Sequence, residues 1–78
     1  MPTVILYSKP GCHLCDTARS YLEDAAAEYG ITYDEIDILR DLALFERYRY
    51  RIPVIVVDGD ERLEGNIEVD EVADLFRR

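Results

Sequence analysis

The chain has 78 residues, 49% hydrophobic and 33% charged, and carries a net charge of −8 from 17 acidic and 9 basic side chains. That length supports one core and therefore one domain, residues 1–78, and that hydrophobic share argues against disorder. The acidic balance excludes a phosphate-binding surface for nucleic acid, and no apolar run nears the roughly 20 residues of a membrane helix.

In chain order, Thr3-Val4-Ile5-Leu6-Tyr7 is an apolar run that reads as a buried strand, and Ser8-Lys9-Pro10-Gly11 reads as a tight turn. Cys12-His13-Leu14-Cys15 follows and contains the only two cysteines of the chain. Beyond it, Ala18, Tyr21, Leu22, Ala25 and Tyr29 recur at helical spacing, which predicts a helix from about His13 to Tyr29 with Gly30 as its stop. Residues 31–38 partly alternate apolar and polar, as a strand at or near a sheet edge does. Asp41 is placed to cap a short helix through about Tyr48, with Leu42, Leu44, Phe45 and Tyr48 as its apolar positions. Pro53-Val54-Ile55-Val56-Val57 is a β-branched strand, Asp58-Gly59 a hairpin turn, and Glu61-Arg62-Leu63 a short returning strand. Glu68 to Phe76 closes the chain as a helix with Val69, Val72, Ala73 and Phe76 on one face. The order β-α-β-α-β-β-α predicts an α/β fold: a βαβ unit, then a ββα unit, with a four-stranded mixed sheet and helices on both faces.

A strand, a turn and a CxxC opening a helix is the arrangement that thiol–disulfide chemistry uses. A structural staple explains it poorly, because the loop closed by two cysteines three apart is tiny and the entropic gain small. A closed zinc site needs four ligands, whereas the motif supplies two Cys and His13 between them, so no metal is expected. The first cysteine of such a motif lies beside unsatisfied helix N–H groups that favour its thiolate; Cys15, one turn in, is expected to be more buried. Lys9 either adds positive charge near that thiolate or is a solvent-facing lysine on a turn. His13 either tunes the thiolate or is an exposed first-turn residue. Asp16 works against a nearby anion. Arg47, Arg49 and Arg51, interleaved with Tyr48 and Tyr50, read as a solvated helix end, with an anion site near the cysteines as the other reading. The N-terminus lacks a basic segment followed by an apolar one, so the expectation is a soluble, cytoplasmic protein; a monomer is the separate expectation for its assembly.

Taken together, Val4-Ile5-Leu6-Tyr7, Ser8-Lys9-Pro10-Gly11-Cys12-His13-Leu14-Cys15, Arg51-Ile52-Pro53 and the Asp58-Gly59 hairpin resemble the thioredoxin-like superfamily. The resemblance is nearest to its glutaredoxin branch, in the group with a Lys-Pro-Gly-Cys-x-Leu-Cys loop and an Arg-Ile-Pro turn. It implies that Cys12 attacks and Cys15 resolves, and that Lys9 helps to hold the carboxylate of glutathione. It also implies that Pro53 is cis and turns the backbone of Ile52 toward an extended substrate. Tyr7 matches an aromatic found near the active loop of many glutaredoxins, or is a core or edge-strand tyrosine.

The pattern departs from common glutaredoxins in three places. Glu64-Gly65-Asn66-Ile67-Glu68 stands where a glycine pair followed by Asp is usual, leaving Gly65 and Asn66 as the ligand contacts at the last helix. Arg51 replaces the Thr of the usual Thr-Val-Pro and is a candidate substitute for a lost carboxylate contact. The active loop lacks the Pro-Tyr pair. Thioredoxin proper is a poorer match, since its buried acid six residues before the first Cys is Leu6 here.

The function implied is an electron carrier that reduces protein or glutathione mixed disulfides. It requires no cofactor, uses glutathione as a possible co-substrate, and draws on glutathione or thioredoxin reductase. Two alternatives stand beside it: an iron–sulfur cluster carrier bridging two chains, and a non-catalytic redox-sensing interaction domain.

Overall fold

The computed structural model describes residues 2–77. Its elements are β1 (Val4–Ser8), α1 (His13–Tyr29), β2 (Asp34–Asp37), a 3-10 turn (Ile38–Arg40), α2 (Leu42–Tyr48), β3 (Val54–Val57), β4 (Asp60–Glu64) and α3 (Val69–Phe76). The sheet order is β2-β1-β3-β4, with β1 and β2 parallel and the other two pairings antiparallel. The predicted mixed α/β sheet is therefore present, with β2 at an edge as its alternating pattern requires. The uniformly apolar β3 is central and buried along its whole length.

The second strand is shorter than the alternation over residues 31–38 predicts, and the reasons are local. Ile31 is buried ahead of the strand, within the core beneath α1 and α3. Asp37 ends the strand by turning its carboxylate back to accept from the amide of Leu39 at 2.9 Å, which starts the 3-10 turn. Asp41 then caps α2 through the amide of Leu44 at 3.1 Å, as its position in the sequence predicts. At the end of α1, Gly30 takes φ 69°, and its amide bonds to the carbonyl of Ala26 at 3.0 Å.

Side chains alternate across the sheet, so each strand serves two cores. Val4, Leu6, Ile55 and Val57 face Ala18, Leu22 and Ala25 of α1 and Val72 of α3. Ile5, Tyr7, Val54 and Val56 face the other way, toward Ile38, Leu44, Phe45 and Tyr48. Two expected apolar contacts are corrected. Leu42 is 73% exposed and Val69 is 51% exposed. Each begins its helix, before the turn that reaches the sheet, and the buried stripes run instead through Leu44, Phe45 and Tyr48 and through Val72, Leu75 and Phe76.

A bulge in the β3–β4 pairing shapes the second face. Ile55 pairs with Leu63 and Val56 with Glu61, so Arg62 is an extra residue in β4. In a regular strand, residues three apart lie on opposite faces. The bulge instead places Glu61 and Glu64 on the same side, opposite Val56 and Val54, toward α2.

Candidate redox site

Parallel β1 and β2 both finish at one end of the sheet, antiparallel β3 begins there, and β4 returns to it. The topology thus gathers three loops separated in sequence: the CxxC loop, the turn before Pro53, and the turn at Gly65.

Cys12 and Cys15 form a disulfide with their Cα atoms 5.2 Å apart. Cys12 occupies the N-cap position of α1 in an extended conformation, and its sulfur accepts from the amide of Cys15 at 3.2 Å. Its carbonyl accepts from the amide of Asp16 at 3.1 Å. A serine or aspartate usually makes the first of these contacts, so here a sulfur does the work of a helix cap. Cys15 has 0% exposure, while Cys12 is half-buried and reachable. His13 and Leu14 are exposed between them.

The Ile52–Pro53 peptide is cis, as the resemblance implied, and Pro53 is buried while Ile52 is partly open. Gly65, at φ 73°, ties this turn to the end of β4. Its amide donates to the carbonyls of Pro53 at 2.9 Å and Arg51 at 3.2 Å. Asn66, the other residue expected to contact a ligand, is exposed beside it.

Arg51 is engaged by its own chain rather than left open to a ligand. Its Nη2 bonds to Glu61 Oε1 at 2.6 Å and to Glu64 Oε1 at 2.8 Å, the two carboxylates that the bulge brings to one side. Glu61 also accepts from Arg47 Nη2 at 2.9 Å and from the Tyr48 hydroxyl at 2.9 Å. These donors, Arg51 first, hold the Glu61 carboxyl down at about 2. Arg49 lies over the rings of Phe45 and Tyr50. Tyr7 stacks on Tyr48 with ring centroids 4.6 Å apart, so it belongs to this second core.

Lys9 is exposed at the start of the active loop and lines a cleft of about 400 Å³ with Pro10, Asp16, Arg19, Asp37 and Arg40. Along that cleft runs a hydrogen-bonded chain of which the sequence pattern assigned a role to Asp16 alone. Ser8, only 3% exposed, donates to Glu35 Oε2 at 2.6 Å. Arg19 donates to both oxygens of Glu35, at 2.7 and 2.6 Å, and to Asp16 at 2.8 Å. The Arg19 bond, followed by that of Ser8, depresses the Glu35 carboxyl below its usual range against the opposing cost of burial. The i, i+3 spacing of Asp16 and Arg19 was the one signal for this chain visible in the sequence. Among the described residues no three His, Cys, Asp or Glu side chains converge as a metal site, and no helix is long and apolar enough to cross a membrane.

The sheet order and the cysteine pair at the head of α1 define a redox-type protein of the thioredoxin-like fold. More closely, residues 3–77 match the glutaredoxin-like domain (DUF836), and the chain belongs to that family. It is 31% identical over 83 residues to the Gene 56 protein of Mycobacterium phage D29, covering 94% of this chain and 84% of the phage protein. An X-ray structure of a structural genomics target protein from X. campestris superposes with a TM-score of 0.79 at 27% identity, covering 94% of this chain and 93% of that one. A mutant thioredoxin from Halobacterium salinarum NRC-1 shares the fold at TM-score 0.73 and 24% identity, covering 96% of this chain and 71% of the thioredoxin.

Proposed function

We propose that the protein is a thiol–disulfide oxidoreductase that reduces protein or glutathione mixed disulfides with its Cys12–Cys15 dithiol. The observation that carries this reading is the sulfur-capped helix. Cys12 is reachable and accepts the Cys15 amide, while Cys15 is fully buried one turn behind it. In the dithiol form the same amide and the positive end of the helix stabilise the Cys12 thiolate, which is the reactive species.

Each turnover moves two electrons. The Cys12 thiolate attacks one sulfur of the substrate disulfide, forming a mixed disulfide and expelling the other sulfur as a thiolate that takes up a proton. Cys15 loses its proton, and its thiolate attacks the Cys12 sulfur. The second substrate thiolate leaves, and the Cys12–Cys15 disulfide remains. Ile52, preceding the cis bond, offers backbone hydrogen-bonding groups to an extended substrate, and Lys9 provides positive charge beside the loop. The cycle requires no metal or organic cofactor. Two thiols of glutathione, or a thioredoxin reductase, return the pair to the dithiol.

Two coupled assays test this. One supplies glutathione, glutathione reductase and a mixed-disulfide substrate; the other supplies thioredoxin reductase and a protein disulfide. Turnover in at least one, abolished in Cys12→Ser, is the expected result. Cys15→Ser should instead accumulate a mixed disulfide at Cys12, detectable by mass. Silence in both assays would overturn the proposal.

A further inference from the structure

Asp16 is a poor neighbour for a thiolate. It lies four residues after Cys12, and its amide bonds to the Cys12 carbonyl at 3.1 Å. Side chains on a helix lean toward its N-terminus, so the Asp16 carboxylate leans back toward the turn that begins with Cys12. Left alone, it would oppose the negative charge that the helix start favours. It is not left alone, because Arg19 Nη1 holds it at 2.8 Å. The same guanidinium forks onto Glu35 of β2, and Glu35 in turn accepts from Ser8, the last residue before the active loop leaves the sheet.

We propose that Arg19 is a positioning residue for Cys12. It offsets the charge of Asp16 and, through Glu35 and Ser8, anchors the helix and the active loop to the same edge of the sheet. The geometry suits this role because one planar cation, about one-third exposed, serves both carboxylates at once. Charged and titratable groups from four segments line this cleft or stand next to Cys12 in the chain. Lys9 is on the loop, and His13 and Asp16 are on α1; Glu35 and Asp37 come from β2, and Arg40 from the 3-10 turn. Arg51, next to the cis bond, is taken up by Glu61 and Glu64.

The inference rests on Cys12 being the nucleophile, so its test reads the Cys12 thiol directly and not turnover. The reduced protein is alkylated with iodoacetamide across a pH range, and modification at Cys12 is followed by peptide mass. Arg19→Gln should raise the apparent Cys12 pKa by about half a unit or more, slowing alkylation below that pKa roughly threefold. Asp16→Asn alone should speed alkylation by less than about twofold, because Arg19 already ties that carboxylate to its own guanidinium and keeps it from turning toward the thiol. In the Arg19→Gln background the same substitution should recover most of the loss. Equal effects of Asp16→Asn in both backgrounds, or a folded Arg19→Gln with wild-type Cys12 reactivity, would overturn the proposal. If circular dichroism shows Arg19→Gln unfolded, Arg19→Lys carries the test. A lysine cannot fork onto Glu35 while holding Asp16, so a smaller shift of the same sign is expected, and no shift overturns the proposal. Turnover without the Cys12 shift would sink this inference alone, whereas the shift without turnover would sink only the oxidoreductase reading.

Discussion

The sheet has two faces, and different forces hold them. Against α1 and α3 the contacts are aliphatic: Val4, Leu6, Ile55 and Val57 meet Ala18, Leu22, Ala25 and Val72. Against α2 the apolar patch is smaller and continues into a charged lattice, in which Arg47, Arg51 and Tyr48 converge on Glu61 and Glu64. Burial of apolar surface is non-directional and resists salt and pH. Charged hydrogen bonds are directional, and they respond to both. The first face therefore supplies most of the stability. The second determines where one particular turn sits, the one carrying Ile52 and Pro53.

That contrast can be broken most sharply at Leu22, which has 0% exposure on the aliphatic face. Leu22→Ala should cost about 2–5 kcal/mol in urea unfolding. A loss below about 1 kcal/mol would mean that the aliphatic face is not the main source of stability.

On the charged face, Arg51→Gln should leave most of the stability intact and act on the substrate instead. Release of the Arg51-Ile52-Pro53 turn from β4 should raise KM for a disulfide peptide by about tenfold, well short of the hundredfold that a displacement of about 1 Å can cost. Unchanged KM with a large drop in unfolding midpoint would reverse the assignment.

Acid separates the faces further. On the charged face Glu61 is depressed to about 2 in the folded chain and Glu64 is depressed as well, each by Arg51 first. Groups with lowered folded pKa values contribute stability above the unfolded carboxylate value of about 4.3, and that stability is lost as pH falls toward their folded values. The urea midpoint should therefore drop between about pH 5 and pH 2, and Glu61→Gln should flatten part of that drop. An equal slope in Glu61→Gln would show that the lattice does not couple to folding. The smallest effect is expected at the two helix-start positions that face water. Leu42→Ser and Val69→Ala should each stay within about 0.5 kcal/mol of the parent.

Much of this architecture could be read along the chain. The periodicity from Ala18 to Tyr29, the apolar β3 and the Asp58-Gly59 turn located the elements, because each depends on local spacing. The cysteine pair was legible for the same reason. A cap, a helix start and two thiols one turn apart all lie within four residues. Leu42 and Val69 were misread because an apolar residue at a helix start satisfies the periodic pattern without reaching the sheet. Arg51 illustrates a different limit. From sequence it was a cation beside the expected cis bond and a candidate substitute for a lost carboxylate contact, since nothing local announces that Glu61 and Glu64 will reach it.

The sequence by itself determined the order of elements, the helix that begins at the cysteines, and the choice of Cys12 as the accessible sulfur. All of these follow from interactions between residues a few positions apart. Tertiary structure alone decided which charges pair beside the active loop and at the Arg51-Ile52-Pro53 turn. The bulge at Arg62 brings Glu61 and Glu64 to one side, and the parallel pairing of β1 with β2 sets Glu35 beside Ser8 and Arg19. Charge pairing depends on register between distant strands, and a one-residue slip in register sends a side chain to the opposite face of the sheet.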